Sequence, residues 1–417
     1  MNRWLLIVVA CLAFVAVFFT VTRILPRALE RSDGAPADPT ADFLARHWAQ
    51  PIPPQGMPPK SFSPIEASLA PESCGACHVQ QFEDWRSSLH SRTIGPGILW
   101  QFHVMGQAEA NGCMNCHAPL AEQKALMALE LGWSNAPLSP PPAYVPPNLH
   151  RQGLVCAGCH VRAHVHYGPP PRKGKMLPMS DRLPHDGFKT SVAFEDSRFC
   201  AVCHQFAPDG PSLNGKLLEN TYEEWRTTRY AREGRPCQSC HMPDRRHLWR
   251  GIHNPEMVRR ALNVDFKIVR RNQSKFEALV VVTNVGAGHY FPTYLVPEVD
   301  AELYLTGANG VDRRLLARRV IGRLTDTALE HEVADTRIPA GKSLSFGADF
   351  APPRSQDASV ELRISVAPAA FYERVFASTL KQAAHLPAAA VPQLREALAD
   401  ARASRFTLYR IRRPVRE

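Results

Sequence analysis

The chain has almost no cysteine to spare. Ten of its eleven cysteines fall in one recurring pattern and only Cys11 is left over, so no disulfide framework is implied. Acidic residues are in deficit, 39 against 49 lysines and arginines, which gives a formal net charge of +10 and a pI near 9.2. From residue 261 onward there is no Ser/His/Asp set, glycine-rich phosphate loop or His-Glu-x-x-His pair, so that part carries no recognisable catalytic motif.

What is present in quantity is Cys-x-x-Cys-His. It occurs five times: Cys74/Cys77/His78, Cys113/Cys116/His117, Cys156/Cys159/His160, Cys200/Cys203/His204 and Cys237/Cys240/His241. Two thiols at this spacing reach the two vinyl groups of a haem, and the next imidazole lies under the iron as its first axial ligand. Zinc pairs and redox dithiols use Cys-x-x-Cys whichever residue comes next. Here histidine succeeds every pair, so five covalently bound c-type haems are expected. Each ferric haem adds about −1, so five bring the protein to roughly +5, and full reduction brings it to about 0. The arginines then read as propionate partners and as a steering field for acidic redox proteins; nucleic acid is not an expected partner.

Residues 4–21 (WLLIVVACLAFVAVFFTV) are uncharged and apolar, between Arg3 and Arg23. About 18–20 such residues span a bilayer as a helix, whereas a signal-peptide core runs to about 7–15. The expectation is an uncleaved transmembrane anchor over residues 1–23, in the inner membrane as a single pass, with the haem domain facing the periplasm. The alternative is a signal cleaved near Ala35-Pro36-Ala37, leaving a soluble periplasmic protein. Residues 24–69 read as a proline-rich linker in extended polyproline II, with His47 and Trp48 docking on the body. Residues 70–258 hold the motifs, whose first cysteines are 39, 43, 44 and 37 residues apart. Segments of about 40 residues cannot bury a core of their own, so the haems are expected to supply it.

From residue 261 to 417 the pattern changes to period-two alternation. Val264-Phe266-Ile268, Val299-Ala301-Leu303-Leu305, Leu344-Phe346-Ala348-Phe350 and Val360-Leu362-Ile364-Val366 each put apolar residues on one face, and residues 277–283 read as a more buried strand. A β-sandwich of about seven strands fits, followed by helices over 369–384 and 391–402 and a last strand over 406–411. The expected fold class is multidomain: one N-terminal transmembrane helix, a mostly α and irregular multihaem cytochrome domain, and an all-β sandwich-like domain with C-terminal helices.

A c-type haem with one histidine is five-coordinate and reactive; with two it is an electron carrier. His90 closes QQFEDWRSSLH, twelve residues past His78. A continuous helix at about 1.5 Å per residue carries it about 18 Å away, so it must serve a haem other than its own. His164 and His166 come after the third motif, one expected on a neighbouring iron and the other on a propionate. His247 and His253 form a similar pair after the fifth. His185, in Leu-Pro-His-Asp-Gly, and His289, in TNVGAGHYFPT, each have a ligating and a structural reading. His103 and His150 are weaker candidates, and His331 and His385 read as surface residues. The stretch from Asp84 to His90 (DWRSSLH) is nearly repeated from Glu224 to Tyr230 (EWRTTRY). One reading is two similar helices, each packing a tryptophan on a haem; the other places Tyr230 at an open or tyrosine-ligated iron.

CGACHVQQFEDWRSSLH, GCMNCH, GLVCAGCHVRAHVHYGPP, FCAVCHQF and NTYEEW…CQSCHMP resemble the exported multihaem cytochromes related to hydroxylamine oxidoreductase and its tetrahaem electron acceptor, over roughly residues 70–255. The resemblance implies closely stacked haem pairs, mostly bis-histidine ligation and, from the tetrahaem acceptor, His90 paired with His204; it points to His164 or His166 as the ligand after the third motif. The fifth motif, the anchor and the β-domain depart from that pattern. So does the lack of Cys-x-x-Cys-Lys, the altered attachment motif of many nitrite reductases.

The functional expectation is an electron carrier between redox partner proteins rather than an enzyme. The alternatives are oxidation or reduction of a small nitrogen or sulfur compound at one open haem, and quinol dehydrogenation at the membrane. Oligomeric state is not set by the sequence. On fractionation of native cells the protein should stay with the membranes until detergent is added; release by osmotic shock alone would mean that the N-terminus is cleaved.

Overall fold

The computed structural model describes residues 38–172, 182–307, 313–353 and 357–415. The expected anchor and the start of the linker lie outside them. Among the described residues no helix is long and apolar enough to cross a membrane. The chain forms two compact units that interleave along the sequence. The first gathers the described residues up to His204 with Arg235–Trp249 and Ala383–Ala397; the second takes Gln205–Gly234, Arg250–Gln382 and Leu398–Glu417.

Helices of the first unit are short, and four motifs fall on one each, Gln107–His117, Cys156–His160, Arg198–His204 and Cys237–His241, while in the first motif only Cys74 is helical, at the end of Pro71–Gly75, and Cys77 and His78 follow in a turn. Residues three apart share a helix face. Both cysteines of each of these four motifs therefore present their sulfurs to one side while the histidine closes the turn. Apolar packing is divided into small clusters, one around Leu69, Trp85, Leu120 and Leu149, another around Ile94, Phe102, Met114 and Met127.

From Asp38 on, the expected extended linker is instead folded onto this unit. Asp38 caps helix Pro39–His47 by accepting from Thr40 N at 3.0 Å and Ala41 N at 3.1 Å. Leu44, Trp48 and Ile52 are buried against Ala193 and Phe199, and His47 Nε2 bonds Cys159 O at 2.8 Å. Prolines keep the chain extended between these anchors, but side chains of this kind contribute about 1.5–3 kcal/mol each on burial, which outweighs free extension.

From residue 262 on, the second unit holds nine described strands: β1 Leu262–Asn272, β2 Lys275–Asn284, β3 Glu298–Thr306, β4 Arg313–Ile321, β5 Arg323–Thr325, β6 Glu332–Asp335, β7 Ser343–Phe350, β8 Ser359–Ala367 and β9 Phe406–Pro414. They pair as a three-stranded sheet, β7-β2-β1, a four-stranded sheet, β9-β8-β3-β4, and the ribbon β5-β6. Phe266, Val280 and Val282 from the first sheet and Ala301, Leu303, Leu362 and Ile364 from the second share one core. The seven strands of these two sheets are the expected sandwich. Helices Ala370–Leu380 and Ala390–Ala403 come after β8 as expected. Strand β4 was not legible: RRLLARRVI puts arginine on both faces of an edge strand, so no alternation appears.

Residues 205–234 belong to this unit. Their hairpin, Ser212–Leu213 with Lys216–Leu217, is fastened by Arg323, which is 0% exposed. Its guanidinium donates to Leu213 O (2.6 Å), Leu217 O (2.9 Å), Lys216 O (3.2 Å) and Glu332 (2.8 Å). Arg323→Met strands those carbonyls at about 1–3 kcal/mol for a buried group left unsatisfied, so a loss of about 3 kcal/mol or more is expected in denaturant melts of this unit. An unchanged midpoint would show that the hairpin holds without it.

Candidate functional site

How each imidazole is held decides what it can do. His117 donates Nδ1–H to Thr93 O (2.9 Å), His160 to Tyr167 O (2.8 Å), His185 to Gly187 O (2.7 Å) and His247 to Arg245 O (3.0 Å). A ring fixed this way keeps its Nε2 lone pair for a partner, as metal-bound histidines do. His47, His150 and His164 are held by the other nitrogen, with Nε2 on Cys159 O, Glu130 and Gly56 O. Of the expected ligands, His164 is therefore the one whose Nε2 already meets a backbone carbonyl, at 3.2 Å. It is buried at a turn beside Tyr144 and Phe62, and its own N–H is held by Gln55.

Two rings from outside the motifs stand opposite motif rings. His90 and His204 have centroids 6.3 Å apart, and His160 and His247 6.1 Å apart. A metal about 2.0–2.1 Å from each nitrogen, with about 1.1 Å more to each ring centre, separates two trans imidazoles by about 6.3 Å. Both pairs leave the width of one iron. Burial, reinforced by His204, pushes His90 down to about 3, and burial with His160 pushes His247 to about 4, so both rings are neutral at pH 7, as ligands must be. Nδ1 of His90 and of His166 is buried without a protein partner. The residues therefore fit haem: Cys200, Cys203, His204 and His90 around one iron, and Cys156, Cys159, His160 and His247 around another.

The helix expected to run unbroken to His90 ends at Arg86, because Ser87 and Ser88 hydroxyls donate back to Asp84 O and Trp85 O, both at 2.7 Å. His90 opens a 3-10 turn, His90–Arg92. Its carbonyl accepts from Leu154 N (2.8 Å) and Thr93 Oγ1 (3.2 Å), and the same Thr93 hydroxyl reaches His117 O at 2.6 Å. Gly153 permits the approach: its φ is +68°, and a Cβ there would stand 2.5 Å from His90 O. His247 is placed by Asp84, 4% exposed, which accepts from Arg246 Nε and Nη2 at 2.6 Å each and from His247 N at 3.0 Å.

The remaining candidates divide by position. Burial and then the charge of His185 lower His78, so the two rings lie within electrostatic reach of one another. His166 stacks on His185 at 4.0 Å, too close for an iron between those two. His241 ends its helix in the first unit, whereas His253, exposed, and His289, half-buried, belong to the second. Tyr230 is buried and donates its hydroxyl to Val285 O at 2.8 Å.

The ten described cysteines are free thiols. Cys74 lies within hydrogen-bond reach of Cys156, Cys116 of Cys203, and Cys200 of Cys237. Burial pushes Cys113 and Cys159 up to about 11, the reverse of a redox dithiol. Cys77 is exposed, and Cys240 is half-buried with Ser239 Oγ at 3.8 Å and Arg235 Nη2 at 4.0 Å. Asp84, Arg246, Thr93 and Gly153 were not singled out by sequence reasoning; the near-repeat containing Asp84 was the available signal.

Arg246 holds the Asp84 carboxyl below its ordinary 3.8. The clamp is therefore intact above about pH 4 and is lost as pH falls below that range. Haem-loaded Asp84→Asn at pH 7 should show partial conversion of the third-motif haem from low to high spin and a stability loss of about 1–3 kcal/mol. Unaltered paramagnetic resonance would rule out the clamp.

No protein-family model matches the chain, and no curated protein matches it. A β-glucosidase from Kluyveromyces marxianus overlaps 29% of this chain and 16% of its own at 12% identity, with a TM-score of 0.14 that carries no argument. A penta-haem cytochrome c552 from Thermochromatium tepidum matches with a TM-score of 0.56 and 18% identity, over 85% of this chain and 100% of that one. That overlap is longer than either unit, so the chain shares the fold of a penta-haem cytochrome through parts of both.

Proposed function

We propose that this chain is a membrane-anchored, periplasmic penta-haem c-type cytochrome that passes electrons between redox partner proteins. The observation that supports it most is the pair of facing imidazole couples, His90 with His204 and His160 with His247, each an iron's width apart. Bound c-type haem supplies one-electron chemistry at a potential set by its ligands and surroundings. The chain's own part is positional. Cysteine pairs fix where each group attaches, and Nδ1 bonds to backbone carbonyls aim the rings. At those two sites a histidine on each side leaves no open position for a substrate. Thiol contacts between the first and third, second and fourth, and fourth and fifth motifs bring neighbouring sites together. The shared fold supports the same reading, and the apolar run at residues 4–21 supports the anchor.

The intact protein from cells competent in haem attachment should outweigh its chain by five haems. Its ferric paramagnetic resonance should be low-spin and indifferent to hydroxylamine or nitrite, and His90→Ala should convert one haem of the five to high spin. A wild-type high-spin signal that either compound alters would favour catalysis at an open haem instead.

A further inference from the structure

The His90 ring is aimed without a hydrogen bond. Its Nδ1 is buried and finds no partner among the described residues, whereas His117, His160, His185 and His247 each give that proton to a backbone carbonyl. What the ring does meet is Trp249, edge to face, at 4.6 Å between centroids and 70° between planes. The same indole meets His247 at 5.0 Å and 83°. Such contact is directional, because the positive edge of one ring is drawn to the negative face of the other. One tryptophan therefore brackets two imidazoles that stand opposite different motif histidines, His90 opposite His204 and His247 opposite His160.

Trp249 is held in a backbone conformation that its bulk disfavours. Its φ is +41°, in the left-handed region, where a large side chain stays only if its surroundings hold it. Its N–H donates to His241 O at 2.9 Å, closing the stretch that leaves the fifth motif. Within that stretch Asp244 (φ +55°) and Arg245 (φ +59°) are left-handed as well, and neither is glycine. Two residues before Trp249, Asp84 and Arg246 fix the peptide of His247. The indole packs against the buried cluster that includes Trp85 and Leu120. Trp85 Nε1 in turn donates to Leu154 O at 2.8 Å, and Leu154 N is the group that holds His90 O. Trp249 thus touches the third site through His247, the fourth through His90 and the fifth through His241, all within the first unit. A tryptophan that only filled space would need neither the strained backbone nor contact with both imidazoles.

We infer that Trp249 is a shared positioning residue for the outer axial ligands of two haems, those of the third and fourth motifs, so that one indole sets the orientation of both imidazoles. This rests on the electron-carrier reading, which makes His90 and His247 ligands. Groups that orient a ligand also tune its metal. In a low-spin ferric haem the angle between the two axial imidazole planes sets the spread of the paramagnetic resonance g values, so ring orientation can be measured. In the full-length, haem-loaded protein His90→Ala and His247→Ala should each convert one haem to high spin, which identifies the two signals. In Trp249→Ala those two signals should shift, the other three should stay, and five haems should be retained. Trp249→Phe, which keeps a ring, should hold both signals nearer to wild type than Trp249→Leu. Five haems with both signals unaltered in Trp249→Ala overturn the positioning role even if the melting temperature falls, because lost packing alone lowers stability without moving g values. A shift in only one of the two overturns the sharing. If Trp249→Ala cannot be recovered folded, wild-type spectra from both Trp249→Phe and Trp249→Leu overturn it instead. A wholly low-spin His90→Ala or His247→Ala protein removes the ligand that Trp249 is to position and overturns it as well. Failure of the carrier reading itself would appear separately, in the wild type, as a high-spin signal that hydroxylamine or nitrite alters.

Discussion

An imidazole binds iron only if it is neutral, aimed and unable to turn away, and the first unit meets that condition at several rings together. Burial supplies neutrality: His90, His166 and His247 are all driven well below the usual histidine value, chiefly by loss of water. Backbone carbonyls supply the aim, taking the Nδ1 protons of His117, His160, His185 and His247. Neither device works for a ring on a loose loop. The chain therefore ties its turns to one another, His90 to Leu154 and Thr93 to His117, and accepts small divided apolar clusters as the consequence.

Legibility in the sequence depends on how local each feature is. The attachment turns are local, and the short helices expected to carry the motifs carry four of the five whole, with only Cys74 of the first on a helix. How deeply each thiol lies is not local, which is why Cys77 and Cys159 look alike in the sequence and differ in burial. The sandwich strands are local too, because Val280, Leu303 and Leu362 face one core along their own strands. The spacing argument for His90 assumed a helix running on to it, but that helix ends at Arg86, and the pairing with His204 came only from the resemblance. Asp84 is the opposite case: it grips His247 across 163 residues of chain, and no window of sequence spans that. His164 and His166 look interchangeable in CHVRAHVHYGPP, and only the Gly56 carbonyl on His164 Nε2 separates them. The 38–69 stretch misled for a related reason. Its prolines announce extension, but Leu44, Trp48 and Ile52 between them announce docking, and burial outweighed the proline signal.

Part of the arginine complement is used within the protein. Many of these side chains complete ion pairs inside the units. Glu361, 1% exposed on β8, is held by Arg313 at 2.6 Å and Arg412 at 2.8 Å, and Arg363 lies at 2.6 Å from Glu302 on β3. In the first unit Arg198 is shared between Asp196 and Asp38. Exposed pairs of this kind add little stability, but those crossing strands reward one register. This pairing leaves the formal net charge of +10 as it is, because the acidic partners are already counted in it.

The carboxylate clamp shows how position and electronics can be set apart. Asp84 bonds the backbone N–H of His247, not its ring, so it does not alter the basicity of the imidazole directly. It moves the peptide unit from which the ring hangs, while the ring proton goes to a neutral carbonyl. A carboxylate hydrogen-bonded to the ring itself would make the ligand more basic and shift its metal's electronics. Holding the backbone leaves that property to burial and to the local carbonyl. In the near-repeat, the extra methylene of Glu224 suits a target one residue further along, the N–H of Tyr290 after His289, where Asp84 meets the N–H of His247 itself. One helical device thus serves two different turns by a change in side-chain length.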